Sequence, residues 1–210
     1  MIALSWNCRG LGSSSTVRKL GEVLREKCPT CRRKEELGYS IIVAKGCGGS
    51  IAIFFRFHID VEVLQPNTVP SWRFTGFYGA TDTSQQRKGW DTLMTLRNQS
   101  DAPWLCTDDF NEVLFRHEKV GALRPLWQIL DFRRALEACD LTDLGYSGSK
   151  FTRSNRRRAL GTVRTGLDQA CANSAWMNSF TRYVVTHIPV YQSDHNMVLV
   201  EMETQSVNRN

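Results

Sequence analysis

Residues 104–112 read Trp104-Leu105-Cys106-Thr107-Asp108-Asp109-Phe110-Asn111-Glu112, and this stretch decides the fold. Trp104, Leu105 and Cys106 are apolar, and the run stops abruptly at paired carboxylates and an amide. Such a run predicts a buried strand that ends at the mouth of an α/β sheet, where ligands bind beyond strand ends. If the backbone stays extended, Asp109 and Asn111 point to the same side, because side chains repeat every second residue. A carboxylate that takes a proton and an amide that grips an oxygen would then face one site. An Asx-rich turn closing an ordinary strand is the plainer reading of the same residues.

Working outward, the chain has 210 residues, enough for one large domain or two small ones. Its hydrophobic share, 41%, and charged share, 23%, are those of a globular protein with a core that needs no disulfide or metal staple. A net charge of +6 favours a polyanionic partner, with nucleic acid first and an acidic membrane surface second. Seven scattered cysteines predict a reduced protein of the cytoplasm or nucleus. The N-terminal apolar run Ile2–Leu4 is too short for a signal peptide, and no run has the length of a membrane span. A monomer without a membrane partner is expected.

Before the acidic stretch, Ile2, Leu4 and Trp6 alternate along a strand that ends at Asn7. A helix follows with Val17, Leu20, Val23 and Leu24 on one stripe. Residues 28–36 are polar and charged and predict no strand. Strands are expected at 39–43, 51–55 and 59–64, with the first two joined by a glycine turn. Trp72–Tyr78 reads as a strand and Ser84–Arg97 as a helix. After the acidic stretch, Leu126–Ala138 reads as a helix. Short strands are expected near 141–144, 151–154, 162–172, 183–187 and 197–202. Trp90, Trp127 and Trp176 fall on amphipathic stretches and read as core. The pattern predicts one domain over 1–203, a frayed polar tail at 204–210, and two sheets packed face to face with helices outside.

Several polar groups share a position at the end of a strand: Asn7, Tyr78, Asp109 with Asn111, Asp168, and Asp194-His195. Together they suit phosphodiester hydrolysis. That reaction needs a cation to offset phosphoryl charge and a base to activate water, for which histidine is well placed near neutral pH. It also needs a carboxylate to orient the histidine, and donors on the phosphate.

The order SWN…FYG…DDFNE…LDQA…SDH resembles the endonuclease/exonuclease/phosphatase superfamily, the fold of DNase I and the apurinic/apyrimidinic endonucleases. More closely, SWNCRGLGSSSTVRKL, WRFTGFYG, PWLCTDDFNEVL, DLGYSGSKFTRSN and ANSAW are similar to the endonuclease domain of plant LINE-type retrotransposons, from about Ile2 to Glu203. The resemblance implies a four-layer α/β sandwich of two mostly antiparallel sheets. It also implies a Mg²⁺- or Mn²⁺-dependent nuclease acting on DNA. Asn7 and Asp194 would serve the metal site. Tyr78 would contact the scissile phosphate, Asp109 would orient or deprotonate water, and Asn111 would hold a phosphate oxygen. His195 would act as general base or transition-state stabiliser, oriented by Asp168, with Ser193 in support.

The chain also departs from that pattern. The strand that should follow the first helix and end in the metal-ligand Glu is missing, so one strand fewer is expected. Glu35 and Glu36 match the helix that follows it instead. Asp108 stands where the family has Gly, and Arg153 where it has Trp. Gly166 and Gln169 flank Leu167-Asp168 where Arg is usual, and Ala80-Thr81 replace a common His-Pro. Cys28 and Cys31 lack the second pair that zinc requires. Arg153, Asn155, Arg156, Arg157 and Arg164 lie on a basic hairpin that reads either as a grip on nucleic-acid phosphates or as a solvated charged loop. The alternatives to a DNA-nicking enzyme are an inactive remnant that binds nucleic acid and a phosphatase of the same superfamily.

Overall fold

The computed structural model describes residues 2–5, 31–36, 39–44, 50–54, 58–63, 71–157, 161–191 and 193–203. Its strands are β1 (Ile2–Ser5), β2 (Cys31–Glu36), β3 (Tyr39–Ala44), β4 (Ser50–Phe54), β5 (Ile59–Val63), β6 (Trp72–Gly76) and β7 (Trp104–Asp109). Then come β8 (Lys119–Val120), β9 (Thr142–Asp143), β10 (Ser147–Gly148), β11 (Arg153–Ser154) and β12 (Arg164–Thr165). The last are β13 (Asp168–Ala172), β14 (Arg182–Ile188) and β15 (Met197–Glu203). Among the described residues three α-helices accompany them: α1 (Thr83–Arg97), α2 (Leu126–Ala138) and α3 (Ser174–Ser179).

Two large sheets form. One has seven strands in the order β10-β14-β15-β1-β4-β3-β2, the other five in the order β5-β6-β7-β13-β9. Alternation along β7 explains how they stack. Leu105 points inward and joins Ala3, Trp72, Phe74, Ala170, Val198 and Val200 in a core between the sheets. Trp104 and Cys106 point outward, where Trp90, Leu93, Phe132 and Leu136 of α1 and α2 cover them. Asp82 caps α1 by accepting from Ser84 N–H at 2.9 Å. Asn173 caps α3, and its Oδ1 also accepts from Trp104 N–H at 2.8 Å, which fixes where β7 begins. A small third sheet, β11-β12-β8, sits at the end of the sandwich where β7 finishes and β13 begins. The sandwich is the expected architecture. Its fourth layer rests on the helix expected around Val17–Leu24, which lies outside the described residues, as do Asn7, Cys28, Arg158 and the tail 204–210.

Three expectations are corrected. The polar stretch 31–36 is a strand, β2, paired antiparallel with β3. An edge strand needs backbone partners on one side only and tolerates charged side chains, which hides it from pattern reading. Beside β1, β4 pairs with it in parallel. Trp127 is 58% exposed and is not core. Finally, the chain is not extended through Asn111, whose φ is 55°. Among the described residues no helix is long and apolar enough to cross a membrane.

Candidate active site

Both sheets supply the site. β7 and β13 run antiparallel with Asp109 opposite Asp168. Both carboxylates therefore leave the same face at the same end of the sandwich. His195 arrives from the other sheet, on the connection between β14 and β15. Its Nδ1 lies 3.1 Å from each oxygen of Asp168, and its Nε2 lies 3.7 Å from Asp109 Oδ2. All three residues are buried.

Local bonds hold these positions. Thr152 Oγ1 accepts from the N–H groups of Leu167 and Asp168 at 2.9 and 3.0 Å, which anchors the start of β13. Ser193 Oγ accepts from His195 N–H at 3.1 Å. Asn111 N–H donates to Asp109 Oδ1 at 2.9 Å, an Asx turn closing the strand. The Asn111 amide donates to Gly79 O at 2.8 Å. Beyond β6 the backbone continues alongside β7, with Phe77 N–H bonded to Thr107 O and Gly79 N–H to Asp109 O. Half-buried Tyr78 is thereby carried to the strand end beside Asp109. Gly79 must be glycine, because a Cβ there would meet Phe110 O at 1.9 Å.

Electrostatics set the state of the histidine. Burial is the largest single influence and opposes its charge. Asp168, through charge and hydrogen bond, then Asp109 and Asp194 outweigh burial and raise its pKa to about 9. At neutral pH the imidazole is therefore a cation between two carboxylates. It suits donation to an oxyanion better than removal of a proton from water. Asp108 is also buried. Burial, then Asp168 and Asp109, push its carboxyl well above the usual range.

Asp194 is half-buried, and its Oδ2 is 3.5 Å from Arg153 Nε. In the basic hairpin, Asn155 braces the turn, accepting from Arg157 and Val163 N–H and donating to Gly161 O. Arg156 donates to the carbonyls of Val190 and Ser193, so it ties the hairpin to the His195 loop. Arg157 and Arg164 are exposed. A cavity of about 320 Å³ opens between hairpin and loop, lined by Arg153, Arg156, Tyr191, Ser193, Asp194 and Asn196. Sequence reading missed Thr152, Lys119 and Arg124, which surround the site only through tertiary pairing.

Asp109, Asp168 and His195 each offer a ligand atom, and these atoms lie within 4.8 Å of one another. Two buried carboxyl groups, those of Asp109 and Asp168, flank the imidazole, and a third, that of Asp108, is buried beside them in the chain. That excess of hard oxygen donors fits a divalent cation such as Mg²⁺. Asp168 is engaged by His195 through both oxygens, so Asp109 is the carboxylate of the three best placed to serve one.

Two face-packed sheets with a carboxylate–imidazole–carboxylate group at their strand ends make up a DNase I-like fold. No family model matches the chain, and no curated protein sequence does. The endonuclease domain of TRAS1, a telomere-specific non-LTR retrotransposon, is similar with a TM-score of 0.66 at 13% identity, covering 98% of this chain and 99% of that one. The 3'-5' exonuclease NExo of Neisseria meningitidis gives 0.58 at 16% identity, covering 97% and 100%. TDP2 of D. rerio, in complex with single strand DNA product, gives 0.53 at 11% identity, covering 97% and 99%. At such identities the likeness is one of fold.

Proposed function

We propose that this chain is a divalent-metal-dependent phosphodiesterase of retrotransposon origin that nicks DNA. The observation that carries the reading is the buried Asp109–His195–Asp168 group, assembled from both sheets at one end of the sandwich. Asp109 holds the attacking water and accepts its proton as the water oxygen bonds to phosphorus, while the opposite P–O ester bond breaks and the leaving sugar oxygen takes a proton from solvent. Asp168 keeps the His195 imidazole charged and oriented, and Nε2–H donates to a phosphoryl oxygen as its charge grows. Asn111 and Tyr78 take the phosphate-contacting roles that the resemblance implies. Mg²⁺ or Mn²⁺, held by Asp109 with Asn7 and Asp194, would offset charge on the phosphoryl oxygens.

One observation favours a second reading, an inactive remnant that binds nucleic acid. β2, which carries Glu35 and Glu36, is the edge strand, separated from β1 by β4 and β3. At about 4.8 Å per strand its backbone is roughly 14 Å from β1. These residues are therefore poor substitutes for the missing Glu ligand. A supercoiled-plasmid nicking assay with Mg²⁺ or Mn²⁺ separates the two. Metal-dependent nicking that His195→Ala abolishes supports the enzyme. No cleavage above that variant at any metal concentration overturns it and leaves the remnant.

A further inference from the structure

The small sheet places its cations in one row with the catalytic histidine. Lys119 of β8 lies opposite Thr165 of β12, and Thr165 lies opposite Arg153 of β11. An isolated antiparallel bridge then sets Arg153 opposite His195. Directly opposed residues of antiparallel strands project from the same face. Gly166 N–H bonds to Glu118 O at 2.8 Å, Ser154 N–H to Asp194 O at 2.9 Å, and Asn196 N–H to Thr152 O at 2.7 Å. These bonds flank the Lys119–Thr165 and Arg153–His195 positions and make them non-hydrogen-bonded pairs, in which opposed side chains approach most closely. Lys119, Thr165, Arg153 and His195 therefore share one face, over roughly 14 Å at about 4.8 Å per strand.

Arg124 reaches the same place from the loop after β8. Its guanidinium donates to Asn111 O at 3.0 Å, and its Nε lies 3.4 Å from Glu112 Oε1 without making a hydrogen bond. Arg124 and Arg153 thus each have an acidic neighbour, Glu112 and Asp194. Among the described residues Lys119 has none within ion-pair distance. Burial, and the charges of Arg124 and Arg153, lower its pKa, opposed by Glu112. Cations held together while partly desolvated repel one another, and an anion set among them relieves the repulsion.

We infer that Lys119, flanked by Arg124 and Arg153, holds a backbone phosphate of the nucleic-acid strand further along from the phosphate delivered to His195. The strand then runs along the row, across β11, β12 and β8. This rests on the reading of the chain as one that acts on DNA, and it adds residues and a path to that reading.

The test is binding of a fluorescent duplex oligonucleotide, followed by anisotropy over a range of KCl in EDTA so that no turnover contributes. Lys119→Gln should weaken binding and reduce the slope of log K against log [KCl] by about 0.9, the share of one phosphate contact. Lys119→Arg should restore both. Lys88→Gln, which removes the same charge from an exposed position on α1, should leave the slope unchanged. Thermal melting of each variant checks the fold. A Lys119→Gln slope equal to wild type overturns the inference, as does a folded wild-type protein that does not bind. Nicking that persists beside an unchanged slope removes only the inference. A lost slope without nicking removes only the enzymatic reading.

Discussion

Asp108 occupies a position that suits glycine in two respects. Its φ of 113° lies where a side chain is strained and glycine is not. Its carboxyl is also buried, Oδ1 has no hydrogen-bond partner, and Asp109 is its sequence neighbour. The resembling endonucleases place Gly at this point, and Ser5 is the one hydrogen-bonding side chain set against the cost of this carboxyl. Asp108→Gly should raise the stability by about 1–3 kcal/mol, the usual size of a relieved backbone strain or orphaned buried polar group. Urea denaturation at pH 7 measures it. Asp108→Asn keeps most of the strain and loses only the repulsion, so its gain should be smaller. A destabilised glycine variant would mean that the carboxyl holds something together at the end of β7.

Where α1 meets the five-stranded sheet, one side chain dominates. Trp90 stacks on Phe132 of α2 with centroids 4.8 Å apart and on Phe77 at 6.2 Å. Trp90→Ala should cost about 3–5 kcal/mol in chemical denaturation, as large-to-small changes of buried aromatics do. An unchanged midpoint would show that α1 is held elsewhere. This helix was legible in the sequence because its apolar residues recur at helical spacing, and β7 because an apolar run ended in acids. The spacing in α2 contained more than was read from it. Ile129, Phe132 and Leu136 share its buried stripe, and Trp127, two residues before Ile129, points about 200° away, at 100° per residue. β2 was illegible because an edge strand needs no apolar alternation. That Asp109 and Asp168 both stand at strand ends could be read from the motifs, but their register across β7 and β13 could not. The row joining Lys119 to His195 could not, since it depends on the register of three two-residue strands.

The Asp168–His195 pair also joins the two halves of the sandwich, since Asp168 and Asp109 belong to the five-stranded sheet and His195 to the connection between two strands of the other. Its charge state is therefore coupled to folding. The histidine pKa is about 9 in the folded chain against 6.5 in the unfolded one. A group raised in this way contributes its stability fully below the unfolded value and loses it as pH climbs through the folded one. Wild-type melting temperature should therefore fall between pH 6.5 and 9 more steeply than that of His195→Asn, which has no proton to lose. Asp108 is also raised, and any ionisation in the same window would weaken the fold in the same direction. Placing both proteins in the Asp108→Gly background removes that contribution and leaves the histidine. Parallel melting curves in that background would mean that the imidazolium does not clasp the sheets, and that His195 is neutral when substrate arrives. The base role would then pass from Asp109 to His195, and nicking activity should rise with pH through the unshifted histidine value of 6.5.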